Sequence, residues 1–236
     1  MRKIRLTIVL LTPLLVCTTL KSQMIEETPQ FDWTILFDGS TLDHWRGYME
    51  EEIPSEWRIE DGVLAFTPGK NGIKNIITKK KYTNFILSLE WKISEAGNSG
   101  IFYGVSEQVN HKEPYGTGPE IQVLDNFNHP DGKYDTHTAG SLYDMIGVSR
   151  DVAKPVGQWN HCVVEVNHKT NIGKVSLNGI NVYTFPVHGE EWEEMVANSK
   201  FREWGDFGTY HTGHIGLQDH GNKVWFRNIK IKDLGD

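Results

Sequence analysis

Cysteine is almost missing from this chain: Cys17 and Cys162 are the only two in 236 residues. At most one internal disulfide is possible, which excludes a disulfide-stapled scaffold and leaves stability to the core. Long apolar runs are just as scarce. The longest, Leu6 to Val16, covers 11 residues, well short of the roughly 20 that a spanning helix needs. No integral membrane span is expected. Positive charge is in deficit, with 24 Lys and Arg against 31 Asp and Glu, and no basic run exceeds the three residues Lys79-Lys80-Lys81. Nucleic acid and anionic membrane are therefore poor partners. Several catalytic signatures are also missing: HExxH, a P-loop, GxGxxG after a strand and the GxSxG elbow. Helical periodicity is confined to one stretch, Glu190 to Phe201.

The start of the chain has its own character. Arg2, Lys3 and Arg5 precede the apolar run, and polar Thr18, Thr19, Lys21 and Ser22 follow it. That is the layout of a secretory signal peptide, here residues 1–22, and it places the protein in the periplasm or at the cell surface. Cys17 offers a second reading, lipid anchoring, against which bulky Val16 stands. Removing 1–22 takes four basic side chains and no acidic one, moving the net charge from −7 to −11. Residues 23–236 then form one domain, with no linker and no repeat, in a size range ordinary for all-β folds.

Short runs rich in β-branched and aromatic residues recur along that domain, bounded by Gly, Asn, Asp or Pro. Val63 to Phe66, Phe85 to Ile93, Gly100 to Tyr103, Glu120 to Leu124, His161 to Val166 and Val224 to Ile231 are examples. Asn178-Gly179 between Leu177 and Ile180 is a strong hairpin signal, because a type I′ turn needs positive φ at both central positions. Asp125 to Asp151 is too rich in Gly, His and Asp for a regular element and reads as a long ordered loop. The expected fold is all-β, two antiparallel sheets packed as a sandwich.

Side chains two apart on a strand share a face, so Glu120 and Gln122 point one way and Ile121 and Val123 the other. Asp125 would join the polar side only through a bulge. A solvated outer face would explain one such strand, but Gly216 to Gly221 repeats the pattern, with Gln218 and His220 opposite Ile215 and Leu217. The flanking glycines leave room for a ligand near the backbone. Glu90 and Lys92 also share a face, opposite Leu89, Trp91 and Ile93. They and Arg227 are either surface charge partners of little energetic worth or substrate contacts. The long loop adds His129, Asp131, Asp135, His137 and Tyr143, a set that could hold a divalent metal, although no fixed ligand spacing is visible. The spacing Glu120-x-Gln122-x-x-Asp125 is similar to the Glu-x-Asp-x-x-Glu signature of sandwich glucanases. The central amide and the shortened last acid fit poorly with a retaining pair about 5 Å apart.

Taken in order, Leu36-Phe37-Asp38-Gly39, Leu89-Glu90-Trp91-Lys92, Asn98-Ser99-Gly100-Ile101-Phe102, Glu120 to Asn126, Gly140 to Asp144, Leu177-Asn178-Gly179, Gly216 to Gly221 and Phe226 to Ile229 resemble the 3-keto-disaccharide hydrolase family over most of the chain. Gly104 departs from it, because the family often carries an Arg there. The resemblance implies a concanavalin A-like jelly roll acting on glycosides whose C3 hydroxyl is oxidised to a ketone. A C3 ketone acidifies the C2 hydrogen, so a base can form an enediolate, the C1 group can leave and water can add back. Such a route needs one base, one electrophile and one proton donor rather than a carboxylate pair. On this basis His220 or Glu120 is the expected base. Lys92, Arg227 or a metal would stabilise the enediolate, and His137 or Tyr143 would stand near the leaving group. Glu90, Asn98, Tyr103, Gln122, Asp125, Asn126 and Gln218 are the further expected substrate contacts. Two rivals remain: a carbohydrate-binding module that stacks sugars on Tyr103, Tyr115 or Tyr143, and an ordinary glycoside hydrolase. Oligomeric state is not readable from the sequence.

Overall fold

The computed structural model describes residues 32–70, 72–108 and 110–235. The signal-peptide reading and Cys17 lie outside the described residues. Thirteen strands are found among those described: β1 (Trp33–Phe37), β2 (Trp45–Gly47), β3 (Trp57–Glu60), β4 (Val63–Phe66), β5 (Ile76–Thr78), β6 (Phe85–Ile93), β7 (Asn98–Val105), β8 (Glu120–Leu124), β9 (Asn160–Asn167), β10 (Ile172–Leu177), β11 (Ile180–Phe185), β12 (His214–Leu217) and β13 (Val224–Asp233). Helix α1 spans Glu190–Ala197, so the expected helical stretch ends four residues early and Phe201 lies in the turns beyond it.

The strands form two antiparallel sheets. The larger has eight, in the order β11-β10-β9-β6-β13-β4-β3 with β1 alongside β13, and the smaller has five, in the order β2-β5-β12-β7-β8. The alternation anticipated from the sequence supplies the core between them. Leu87, Leu89, Trp91, Phe226 and Ile231 from the larger sheet meet Ile101, Tyr103, Ile121, Val123, Ile215 and Leu217 from the smaller in one buried cluster. Each fully buried side chain of this size contributes roughly 1.5–3 kcal/mol. Asn178 and Gly179 take φ of +52° and +82°, the conformation that the β10–β11 hairpin requires.

One consequence of the register decides the site. β7 pairs with β8 so that Gly100 stands opposite Gln122 and Phe102 opposite Glu120, and β12 pairs with β7 through Gly216 and Phe102. Asn98, Gly100, Glu120, Gln122, Gly216 and Gln218 therefore share the face of the smaller sheet that points away from the core. That face is covered rather than solvated, and every residue of β8 is buried. The cover on one side is the 125–151 segment, which runs along the free edge of β8: Gln122 N–H donates to Ser141 O, Gly140 N–H to Gln122 O and Tyr143 N–H to Glu120 O.

Candidate active site

The covered face holds a cavity of about 320 Å³ lined by Asn98, Tyr115, Glu120, Gln122, Tyr143, Lys200, Phe201, Trp204, Gln218 and His220. Glu120 is its one carboxylate among the described residues. Its side chain crosses diagonally over Gly100, where a Cβ would overlap the carboxyl group, so the glycine is what lets the acid lie against the sheet. Burial pushes the Glu120 carboxyl up to about 8; the Lys200 charge opposes this and the Asp131 charge adds to it. At neutral pH it is mostly protonated and can donate. Asn98 and Gln218 are 3% and 5% exposed, and Asn98 Oδ1 and Gln218 Oε1 are buried without a hydrogen-bond partner. Gln122 Oε1 accepts from Val123 N–H, which turns the amide group inward. Buried amides are normally satisfied, so the open oxygens of Asn98 and Gln218 are arranged for a guest rich in hydroxyls.

Lys200 reaches the cavity from the turn after α1. Its ammonium sits 4.1 Å from the centroid of the Tyr143 ring and 5.1 Å from that of Phe201, and it makes no ion pair within 4.0 Å among the described residues. Desolvation holds it below the ordinary lysine range, against the pull of Glu120, Asp144 and Asp131. Its backbone N–H donates to Asp144 Oδ2 at 2.6 Å, and His137 Nε2 donates to Asp144 Oδ1 at 3.0 Å. Asp144 thus ties the long loop to the Lys200 turn. His220 stands at the cavity rim. Desolvation and the neighbouring His129 hold its imidazole below the usual histidine value, against Asp131 and Asp219. It is mostly neutral at pH 7 and able to accept a proton.

Seven expected site residues lie elsewhere. Glu90, Lys92 and Arg227 are on the outer face of the larger sheet. There Glu90 accepts from Arg227 and Asn228, and Lys92 lies between the rings of Trp159 and Trp225. Alternation correctly put these side chains opposite Trp91, but β6 belongs to the other sheet. Tyr103 points into the core, its ring packed near Phe185, because it is one residue out of phase with Phe102. Asp125 is consumed by the turn it begins, accepting from Ala96, Phe127 and Asn128. Asn126 is a loop brace, accepting from Ala139 N–H and donating to Arg150 O. His137 stands behind Tyr143, ring centroids 4.3 Å apart, and supports that wall without lining the cavity. Among the described residues no group of three or more His, Cys, Asp or Glu side chains is placed to hold a metal ion. His129 and His137 instead make the hydrogen bonds to Asp131 N–H and Asp144 that shape the loop. The sequence reading missed Lys200, Phe201 and Trp204. Phe201 and Trp204 also pack against the hydrophobic core, so their residue types alone do not distinguish a cavity wall from core.

Comparison with known proteins bears on what this cavity does. The model of the 3-keto-alpha-glucoside-1,2-lyase-like domain matches residues 32–232. The chain belongs to this family. A 3-keto-disaccharide hydrolase from Bacteroides thetaiotaomicron is 39% identical over 227 residues, 84% of this chain and 77% of that protein. The crystal structure of a candidate glycosyl hydrolase from Parabacteroides distasonis superposes with a TM-score of 0.79 at 33% identity, over 86% of this chain and 94% of that one. A carbohydrate-binding module from Bacillus subtilis shares the fold alone, at 13% identity and a TM-score of 0.51, over 80% and 96% of the two chains. Family membership makes the chain a glycoside-cleaving enzyme of the hydrolase and lyase class and confirms the sandwich architecture.

Proposed function

We propose that the enzyme cleaves 3-keto-glycosides by removing the C2 proton and expelling the C1 oxygen. The observation that carries this is the composition of the cavity wall: one protonatable carboxyl, one imidazole and one ammonium, with no second carboxylate among the described residues. A classical pair mechanism lacks its partner there, whereas an elimination uses each of the three groups once. The family description and the name of the Bacteroides relative supply the substrate class.

In this reading the 3-keto ring lies on the polar face, its hydroxyls donating to the amide oxygens of Asn98 and Gln218. Neutral His220 takes the C2 hydrogen as a proton, and the electron pair left on C2 delocalises onto the C3 oxygen. Lys200, an ammonium aimed at no carboxylate, stabilises the resulting enediolate. Collapse forms the C1–C2 double bond and breaks the C1–O bond, while protonated Glu120 gives its proton to the departing oxygen. Addition of water to C1 and return of a proton to C2 complete a net hydrolysis; release before that step gives a lyase. General acid and base groups contribute about 10²–10⁴-fold each. Glu120→Gln and His220→Ala should each reduce turnover of a 3-keto-glucoside by that order with the melting temperature retained, while Lys92→Met should stay near wild type. Near-normal rates in both site variants would refute the assignment.

A further inference from the structure

A second cavity adjoins the first. It measures about 440 Å³ and shares two of its walls, Tyr115 and Trp204. The two rings have centroids 6.1 Å apart and tilted planes, so they form a ridge between the compartments rather than a closed wall. Beyond the ridge the lining becomes polar: His111 Nε2 and Asp206 Oδ2 pair at 2.8 Å, and the Glu113 carboxyl accepts from Asn75 at 2.6 Å. The first cavity, at about 320 Å³, is at the small end of ligand sites and suits a single sugar ring. Whatever is attached to C1 must then lie outside it.

The side on which it leaves follows from which residues border each cavity. His220 borders the first cavity and a different hollow bounded by Lys70, Ile73 and Gly221, and does not border the second cavity, which meets the first at Tyr115 and Trp204. The base for C2 thus stands away from the ridge, which leaves the ridge side to the group on C1.

We infer that the cavity beyond the Tyr115–Trp204 ridge is the leaving-group subsite, and that its occupant is a second sugar ring. An aromatic ridge offers a flat face for the ring's C–H surface, and the His111–Asp206 pair and Glu113 offer both donors and acceptors to its hydroxyls. This rests on the elimination reading above and goes beyond it by assigning where the second ring lies and which residues select it.

Gly205 gives a clean test. It borders the second cavity and not the first, and a Cβ there meets nothing within 4 Å. Gly205→Phe therefore fills the subsite without touching the reacting ring, and Gly205→Ala controls for the backbone change. On a 3-keto-disaccharide, kcat/KM should fall at least ten-fold in Gly205→Phe and stay within two-fold of wild type in Gly205→Ala. On methyl 3-keto-glucoside, which has no second ring, both variants should stay within two-fold. Equal losses on the two substrates, or no loss on the disaccharide, would overturn the subsite while leaving the elimination reading intact. Failure of the wild-type enzyme to turn over either compound would overturn that reading, and the subsite with it.

Discussion

Glu120 is asked to keep a proton at neutral pH in a buried position, and the same burial that makes it an acid makes it a burden on the fold. Its carboxyl is raised from the ordinary value near 4.5 to about 8. A group raised on folding contributes stability that is fully present below the unfolded value and is lost as pH rises through the folded one. Wild-type stability should therefore decline between about pH 4.5 and 8 by a few kcal/mol, at about 1.4 kcal/mol per pH unit. Glu120→Gln should flatten that decline, which urea titrations at pH 5 and pH 8.5 would show. Activity carries the same signature: with Glu120 as the acid, kcat/KM falls above about pH 8, whereas a carboxylate base would make it rise there. At this scale Glu120 and Gln122 were legible because the period of two marks one face of β8; Gln218 and His220 were picked out by the same alternation, although β12 ends at Leu217 and both lie just beyond it. Lys200 was not legible, because only the tertiary path of the turn after α1 carries it to the cavity. Glu90, Lys92 and Arg227 were misplaced because a strand of either sheet shows the same alternation.

Three adjacent strands do the positioning. β12, β7 and β8 present their polar residues in register, and the glycines between them set how close a guest or a side chain can come to the backbone. Gly100 is the most exacting of these, since it lies beneath the Glu120 carboxyl. Its backbone is ordinary for a strand, without a positive φ, so Gly100→Ala should fold and should displace the acid. A rate loss of ten-fold or more on 3-keto-glycosides is expected, with a loss of at most about 1–3 kcal/mol from the overpacking. An alanine variant of full activity would mean that the observed pose of Glu120 is not the working one. The loop from Asp125 to Asp151 was anticipated as long and ordered. What its composition could not reveal is that Asp125 and Asn126 hold the loop in place rather than meet substrate. Residues that close an Asx turn and residues that bind sugars are drawn from the same polar set, and only the hydrogen-bond partners separate them.

The whole molecule divides its labour between sheets. The eight-stranded sheet gives its inner face to the core and keeps Lys92 and Arg227 against Trp159 on the outside. The five-stranded sheet backs onto the same core and carries the site on its far face. Cys162 is buried in that core, its thiol pushed up to about 12 by burial, so it packs rather than reacts. The architecture was readable from strand length, alternation and the Asn178-Gly179 turn; the pairing order of the sheets was not, because nothing local encodes which strands become neighbours. The central claim is that C–O cleavage proceeds through loss of the C2 proton, and running the reaction in deuterated water tests it most directly. The account expects the released 3-keto sugar to carry deuterium at C2 well above that of the same sugar incubated without enzyme. Product with hydrogen retained at C2 would contradict it.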